Sequence, residues 1–373
     1  MIYAHHIALD LTQAQETYCR RAAGTARFVY NWALAEWQRH YQAGEKPTAA
    51  GLKKQWNALK HARYPWVSEI HKDANQQPFA HLATAFQKFF RHEAGYPTFK
   101  KKGQHDSFYI SNDKVQVQGK RLRIPTLGWV RMREALRFTG KVMSVTVSRI
   151  AQRWYASISV QVETTPAVCE NQATVGVDLG VLRLATLSTG ETVEGPKPLR
   201  RLLAKLQRCN RQLSRKVKGS ANRRKAKDRL ARLHAQIAAQ RKDALHKLST
   251  DLVRRFGLIV LEDLHVKGMV RNHTLARAIS DMGFGMFRRL VDYKAAAAGV
   301  QVIYADRWFP SSKLCSSCGA VCDALPLNQR VYTCSCGLVI DRDLNAALNV
   351  GNYPRLAGKY NACGEGSAGA GCG

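Results

Sequence analysis

The chain has 373 residues, enough for two or three domains, and 45% of them are hydrophobic, which excludes a disordered polymer. Its 58 Lys and Arg against 27 Asp and Glu leave a net charge of +31. Many clustered cations displace condensed counterions from phosphates, so nucleic acid is the expected partner; the competing readings are a membrane-surface protein and a ribosomal-type structural protein. No run approaches the roughly 20 apolar residues of a membrane span, and MIYAHHIALDL lacks the basic start and apolar stretch of a signal peptide. An intracellular protein without a membrane partner is expected.

In residues 1–10, Tyr3, His5, Ile7 and Leu9 alternate and predict a strand. From Thr12, a candidate cap, the period turns helical: Phe28, Trp32 and Ala35, then Leu52, Trp56 and Leu59 ahead of Tyr64-Pro65, then Phe79, Leu82, Phe86, Phe89 and Phe90. Residues 12–94 are thus a helical block, broken by Gly95-Tyr96-Pro97 and followed by the basic turn Lys100-Lys101-Lys102-Gly103. A period of two then predicts a hairpin over 115–124 around Gly119-Lys120 and strands over 142–149 and 154–162. The expectation is a small β-barrel or sheet from 1–11 and 95–170, with the helical block inserted. Residues 164–173 read as a linker.

A second domain begins with an apolar strand, Thr174-Val175-Gly176-Val177-Asp178, and a meander through 182–187 and 191–193. Residues 197–255 hold 20 Lys and Arg against 3 Asp. Leu202, Leu206 and Leu213, then Leu230, Leu233, Ile237, Leu248 and Leu252, predict a helical hairpin about Lys218-Gly219-Ser220 with an apolar seam and basic outer faces. Arg223, Arg224 and Lys225 here, Lys100, Lys101 and Lys102 upstream, and Lys313 downstream are candidate phosphate contacts. A strand over 258–261 ends at Glu262; a helix over 286–298, a strand over 300–304 and a closing helix over 343–349 follow. A disordered tail is expected over 353–373, ending in the Gly-rich stretch 364–373.

Asp178 and Glu262 each close an apolar strand, where an isolated carboxylate loses hydration without return. Structural explanations exist: Asp178 could cap a turn with Gly180, and Glu262 could pair with an arginine. Both acids together with Asp343 at a helix start point instead to a divalent-cation site, with Mg²⁺ expected and Mn²⁺ as the alternative. Two such ions can activate water and stabilise the leaving oxygen in phosphodiester hydrolysis. Of Asp341-Arg342-Asp343, Asp343 is the expected ligand and Asp341 the helix cap. The meander after an acid-bearing first strand fits a ribonuclease-H-like α/β domain.

Cys315-x2-Cys318 and Cys334-x-Cys336 form a candidate tetrahedral thiolate set for a structural zinc ion. The second pair is one residue short of the usual spacing, which leaves Cys322 as a substitute ligand and an empty site as the alternative. Cys19, Cys169, Cys209, Cys363 and Cys372 are scattered bystanders.

Taken together, GVDLG (176–180), IVLEDL (259–264), FPSSKLCSSCG (309–319) and YTCSCGLVIDRDLNAALN (332–349) resemble the TnpB family, transposon-encoded RNA-guided DNA nucleases related to type V CRISPR effectors. AFQKFF (85–90) and GYPTFKKKGQHDSF (95–108) add weaker support. The resemblance implies a multidomain α+β protein: a wedge-like β domain with a helical recognition insertion, then a RuvC nuclease domain over 171–310 and 338–352. A zinc module over 311–337 is inserted in it to help load target DNA. It implies Asp178, Glu262 and Asp343 as metal-binding catalytic acids holding two ions. It also implies a guide RNA from the transposon end, cleavage of double-stranded DNA beside a short flanking motif, and action alongside a separate transposase near the nucleoid of a prokaryotic cell. A nuclease-inactive RNA-guided repressor, or a transposase joining strands directly, are the competing functions; the three acids, all present, argue against the first.

Overall fold

The computed structural model describes residues 1–163, 169–322, 325–326 and 328–360. The chain divides into two compact units at Thr164/Thr165, within the expected linker. Cys363, Cys372 and the rest of 361–373 lie outside the described residues.

The first unit runs β1 (Ile2–Asp10), α1 (Gln13–Gln42), α2 (Ala49–Arg63), α3 (Asp73–Phe90), β2 (Ser107–Ser111), β3 (Gln116–Gln118), β4 (Arg121–Ile124), β5 (Gly128–Met132), β6 (Lys141–Ile150) and β7 (Arg153–Gln161). Thr12 opens α1 with a capping box to Gln15. The strands form one antiparallel sheet in the order β2-β6-β7-β1-β5-β4-β3. β1 joins its halves, pairing through Ile2–Ala8 with β7 and through Leu9 and Asp10 with β5. Among the described residues no ladder joins the edge strands β2 and β3, so of the two expected arrangements, barrel or sheet, the strands form a sheet. Small side chains on α1 and α3 (Cys19, Ala22, Ala23, Ala74) let the helices lie on the sheet's apolar face. Burial pushes the Cys19 thiol up to about 12. A separate core around Trp56, Leu34, Phe79 and Leu82 holds the helices together.

The second unit runs β8 (Thr174–Asp178), β9 (Ala185–Leu187), β10 (Thr192–Val193), α4 (Pro198–Ser214), α5 (Ala221–Arg255), β11 (Leu258–Glu262), α6 (Val266–Met269), α7 (Ala276–Met282), α8 (Phe284–Ala298), β12 (Gln301–Ala305), β13 (Val331–Thr333), β14 (Val339–Asp341) and α9 (Arg342–Tyr360). Its main sheet has the order β10-β9-β8-β11-β12, with β8, β11 and β12 parallel and β9 and β10 antiparallel. Because successive side chains alternate across a sheet, Val175, Val177, Ile259 and Leu261 enter the core beneath α5, α7 and α8. Val260 falls on the opposite face, with Val350 and Tyr353 of α9.

The basic hairpin is α4 and α5, sealed by Leu206, Cys209, Leu233 and Ile237. Gly219 supplies the positive φ (+86°) of its turn, and the Ser220 hydroxyl accepts the Arg223 N–H to cap α5. Asp281 of α7 fastens the other end. Its carboxylate accepts the Leu199 and Arg200 N–H groups at the start of α4, at 3.1 and 3.0 Å, and pairs with Arg241 of α5 at 3.0 Å.

The closing helix is longer than expected. α9 continues to Tyr360, so residues 353–360 of the expected disordered tail are helical. Buried Tyr353 meets Phe309 edge-on, ring centroids 5.0 Å apart, and this contact holds the added turns to the sheet. No helix among the described residues is long and apolar enough to cross a membrane.

Candidate active site and metal centre

Asp178 and Glu262 are the last residues of neighbouring parallel strands, β8 and β11. By the alternation that sends Val260 toward α9, both acids belong to the α9 face, and Asp343 sits in the first turn of that helix. All three line one cleft of about 750 Å³ with Arg307, Ser311, Arg330 and Arg342 in its wall. Burial, then the charges of Glu262 and Asp343, hold the Asp178 carboxyl well above the ordinary carboxylate range. Burial also raises Glu262, against a stabilising bond from Ser311 Oγ, which donates to its carboxylate at 2.5 Å. The arginine partner considered for Glu262 belongs instead to Asp263, which pairs with Arg288 at 2.5 Å and Arg307 at 3.1 Å.

The expected division of labour within 341–343 has a clear geometry. Asp341 accepts the N–H groups of Asp343 and Leu344 at 2.9 and 3.1 Å and pairs with Arg183 at 3.1 Å. Its carboxylate is thereby occupied in starting the helix. The Asp343 carboxylate faces the cleft, 3.9 Å from the Arg330 guanidinium.

Two features escaped the sequence reading. The first is a glycine contact: a Cβ on Gly176 would lie 2.1 Å from the Ala347 carbonyl oxygen and 2.2 Å from the Gly351 nitrogen. Only glycine lets α9 lie backbone-to-backbone on the strand that carries Asp178. The second is a pair of buried amides. Asn345 bonds Leu314 O at 2.7 Å and the Ser316 N–H at 3.0 Å, and Asn349 bonds Ser311 O and Leu314 O at 2.8 and 2.7 Å. They clamp the helix to the first cysteine loop.

That loop and the β13–β14 hairpin form the second centre. Cys315, Cys318, Cys334 and Cys336 bring their sulfurs within 4.8 Å of one another, the one such donor group among the described residues. The three carboxylates line one cleft but are not a donor group within that spacing. Sulfur pairs 315/336 and 318/334 are 3.7 and 3.6 Å apart, close to the roughly 3.8 Å tetrahedral edge that Zn–S bonds of about 2.3 Å require. The short second spacing is accommodated by a tighter turn. Gly337 N–H returns to Cys334 O, three residues back, whereas Gly319 N–H returns four residues to Cys315 O; both glycines have positive φ, +93° and +76°. Cys322 is not among these four clustered sulfurs, which are those of the two expected pairs. The backbone N–H of Cys336, followed by neighbouring thiols, pulls Cys334 down to about 6. Despite a lowering backbone bond from Ala320, those same thiols push Cys318 up to about 12. Such proton sharing is what a dication at the centre replaces.

The basic candidates divide. Arg224, Lys225, Lys101, Lys102 and Lys313 are exposed. Arg223 turns back onto Leu213 O and Lys216 O at 3.0 and 2.7 Å, closing the α4–α5 turn. The Lys100 ammonium sits 4.0 Å above the Tyr30 ring, and its backbone is bonded both ways to the Asn31 side chain.

Comparison with known proteins places this architecture. Residues 157–273 match the OrfB_IS605 family model, described as "Probable transposase". Residues 284–350 match "Cas12f1-like, TNB domain" and residues 1–46 match "Helix-turn-helix domain". The chain is 40% identical over 365 residues to a Streptomyces pristinaespiralis protein named "Putative RNA-guided DNA endonuclease", covering 95% of this chain and 89% of that one. It is 36% identical to the Escherichia coli K12 protein of that name designated InsQ, covering 94% and 91%. A solved Cas12f1–sgRNA–target DNA complex shares the fold, with TM-score 0.56 at 15% identity over 92% of this chain and 83% of that one. With such identity sustained along almost its whole length, the chain belongs to the TnpB family of RNA-guided DNA endonucleases.

Proposed function

We propose that this chain cleaves double-stranded DNA at sites selected by a bound guide RNA. The observation that carries the reading is the convergence of Asp178, Glu262 and Asp343 on one cleft of a +31 protein. Base pairing reads the sequence, and the protein reads backbone shape and a short flanking motif. In this reading the second unit is a RuvC domain of ribonuclease-H type with a zinc module over 311–337. The first is a wedge-like domain with a recognition block over 12–94, and the guide comes from the transposon end. The protein works in the cytoplasm, near the nucleoid, alongside a separate transposase.

The acids suit hard dications: burial disfavours their charges singly, and their mutual repulsion disfavours them together. Asp178, Glu262 and Asp343 would hold two Mg²⁺ or Mn²⁺ ions, which supply an activated water and charge neutralisation at the phosphodiester. The chain's own groups orient these acids. Ser311 fixes the Glu262 carboxylate, Asp341 fixes the turn bearing Asp343, and Arg330 and Arg342 bring positive charge to the phosphate. The four thiolates suit a closed structural zinc site, with no position left for chemistry.

An RNA grip on the first unit has its own support. Exposed Arg121 stands directly across the β4–β5 ladder from exposed Arg131, beside the Arg123–Trp129 pair. Like charges in direct opposition destabilise a sheet unless a polyanion lies over them. All three acids are present, so nothing favours a nuclease-inactive repressor. The test is purification with co-expressed RNA, sequencing of that RNA, and plasmid cleavage with Mg²⁺. Undiminished cleavage by the Asp178→Ala protein would sink the acid assignment.

A further inference from the structure

One side chain beside the cleft has no part in the chemistry above. Trp308 is 85% exposed, more than any other large hydrophobic residue among those described; Trp66 and Trp129 reach only 37% and 38%. Its neighbours Arg307 and Phe309 both line the acid cleft. Its backbone is pinned: the Trp308 N–H donates to Asp306 Oδ1 at 2.8 Å, and the Phe309 N–H to Asp306 O at 3.0 Å. Phe309 is buried against Tyr353, and the Arg307 guanidinium is tied to Asp263. A large aromatic group is therefore presented to solvent by a fixed loop at the edge of the site. The same cleft is lined by two exposed apolar side chains, Leu182 at 54% and Leu275 at 44%. Phosphate alone needs carboxylates and cations; apolar groups in such a wall fit the faces of bases.

We propose that Trp308 is a stacking platform for an unpaired base of the DNA strand held in the acid cleft. The cleft takes one strand's backbone, so bases near the scissile phosphate leave their own stack. An aromatic face beside them recovers that stacking without regard to sequence, which suits an enzyme whose specificity lies in its guide. This inference rests on the nuclease reading of the cleft.

The test uses the protein–RNA complex with matched target DNA. Trp308→Ala should slow single-turnover cleavage at limiting DNA by about 5- to 100-fold, the range for losing one base–aromatic stack. Trp308→Phe, which keeps a ring, should restore most of the rate, and Trp308→Leu, which keeps only apolar bulk, should not. Melting temperature should be unchanged in all three, since the ring is not packed. A second arm places 2-aminopurine at successive positions of the displaced strand, with Asp178→Ala complexes that bind without cutting. Fluorescence should be quenched at one or two positions, and the quench should vanish when Trp308→Ala is added. Equal quenching and equal rates with and without the indole would overturn the proposal, as would equal rescue by Leu and Phe. If the native protein does not cut, the nuclease reading fails, while the fluorescence arm still decides whether a base stacks on Trp308.

Discussion

Gly176→Ala isolates the role of helix placement from that of the acids themselves. Gly176 has no positive φ to strain, so the perturbation is purely steric. The new Cβ would lie 2.1 Å from Ala347 O and 2.2 Å from Gly351 N, both main-chain atoms unable to rotate aside. Reaching an ordinary contact of roughly 3.5 Å moves α9 from β8 by more than about 1 Å. Overpacking of this kind costs about 1–3 kcal/mol. A misplacement near 1 Å at a reacting centre costs about 100-fold in rate. Asp343 rides on the displaced helix, so a cleavage loss near 100-fold is expected with a moderate fall in melting temperature. Gly351→Ala, whose Cβ would meet Gly176 N at 3.1 Å, should give a smaller loss. Gly285→Ala, with open space around its Cβ, should cut normally. The assay is single-turnover cleavage by the RNA complex with melting curves for each variant. Equal rates for Gly176→Ala and Gly285→Ala would refute the argument that this contact positions the acid.

Three further outcomes follow from the same geometry. Cys334→Ser, or a strong chelator, should release one zinc per chain by metal analysis and abolish cleavage, because the β13–β14 hairpin runs directly into the start of α9; retained zinc and activity would contradict this. Asp178→Asn should end cleavage yet raise the melting temperature of metal-free protein at neutral pH. An acid raised in the folded state binds more protons there than when unfolded, so its penalty is absent below the ordinary carboxylate range and grows as pH rises through the folded pKa. The gain should therefore disappear at low pH and shrink when Mg²⁺ is added. Asp281→Ala strips the cap from α4 and removes the carboxylate partner of Arg241, leaving its bond to the residue 281 carbonyl, an expected loss of about 3 kcal/mol in urea unfolding.

What could be read before folding was whatever lies within a few residues. Asp178 and Glu262 stand out because each ends an apolar run, and Gly119 and Gly219 mark turns by their freedom at positive φ. β5 is not legible in the sequence because Gly128–Met132 is short and shows a clean alternation only once Val130 and Met132 are known to be buried. α9 extends beyond the expected 343–349, through Gly351 and Pro354. In the fold the glycine is a contact point with β8, and tertiary packing of Tyr353 carries the helix past both. The Gly176–Gly351 contact, the Ser311–Glu262 bond and the Asn345 and Asn349 clamps join residues far apart in the chain. No local pattern distinguishes such residues from ordinary small or polar ones. Spacing alone does not show that the second cysteine pair fits, and the three-residue return of Gly337 explains why one fewer residue still brings both thiols to the cluster.

The last helix of the second unit lies on that unit's first strand, and this has a bearing on the order of synthesis. As the chain leaves the ribosome, the first unit emerges complete, then β8 with Asp178, then β11 with Glu262. The third acid arrives only with α9. On the proposed assignment, a copy interrupted anywhere before residue 343 has the surface that grips RNA but no assembled acid site. On that assignment the cutting site is the last part of the chain to be completed.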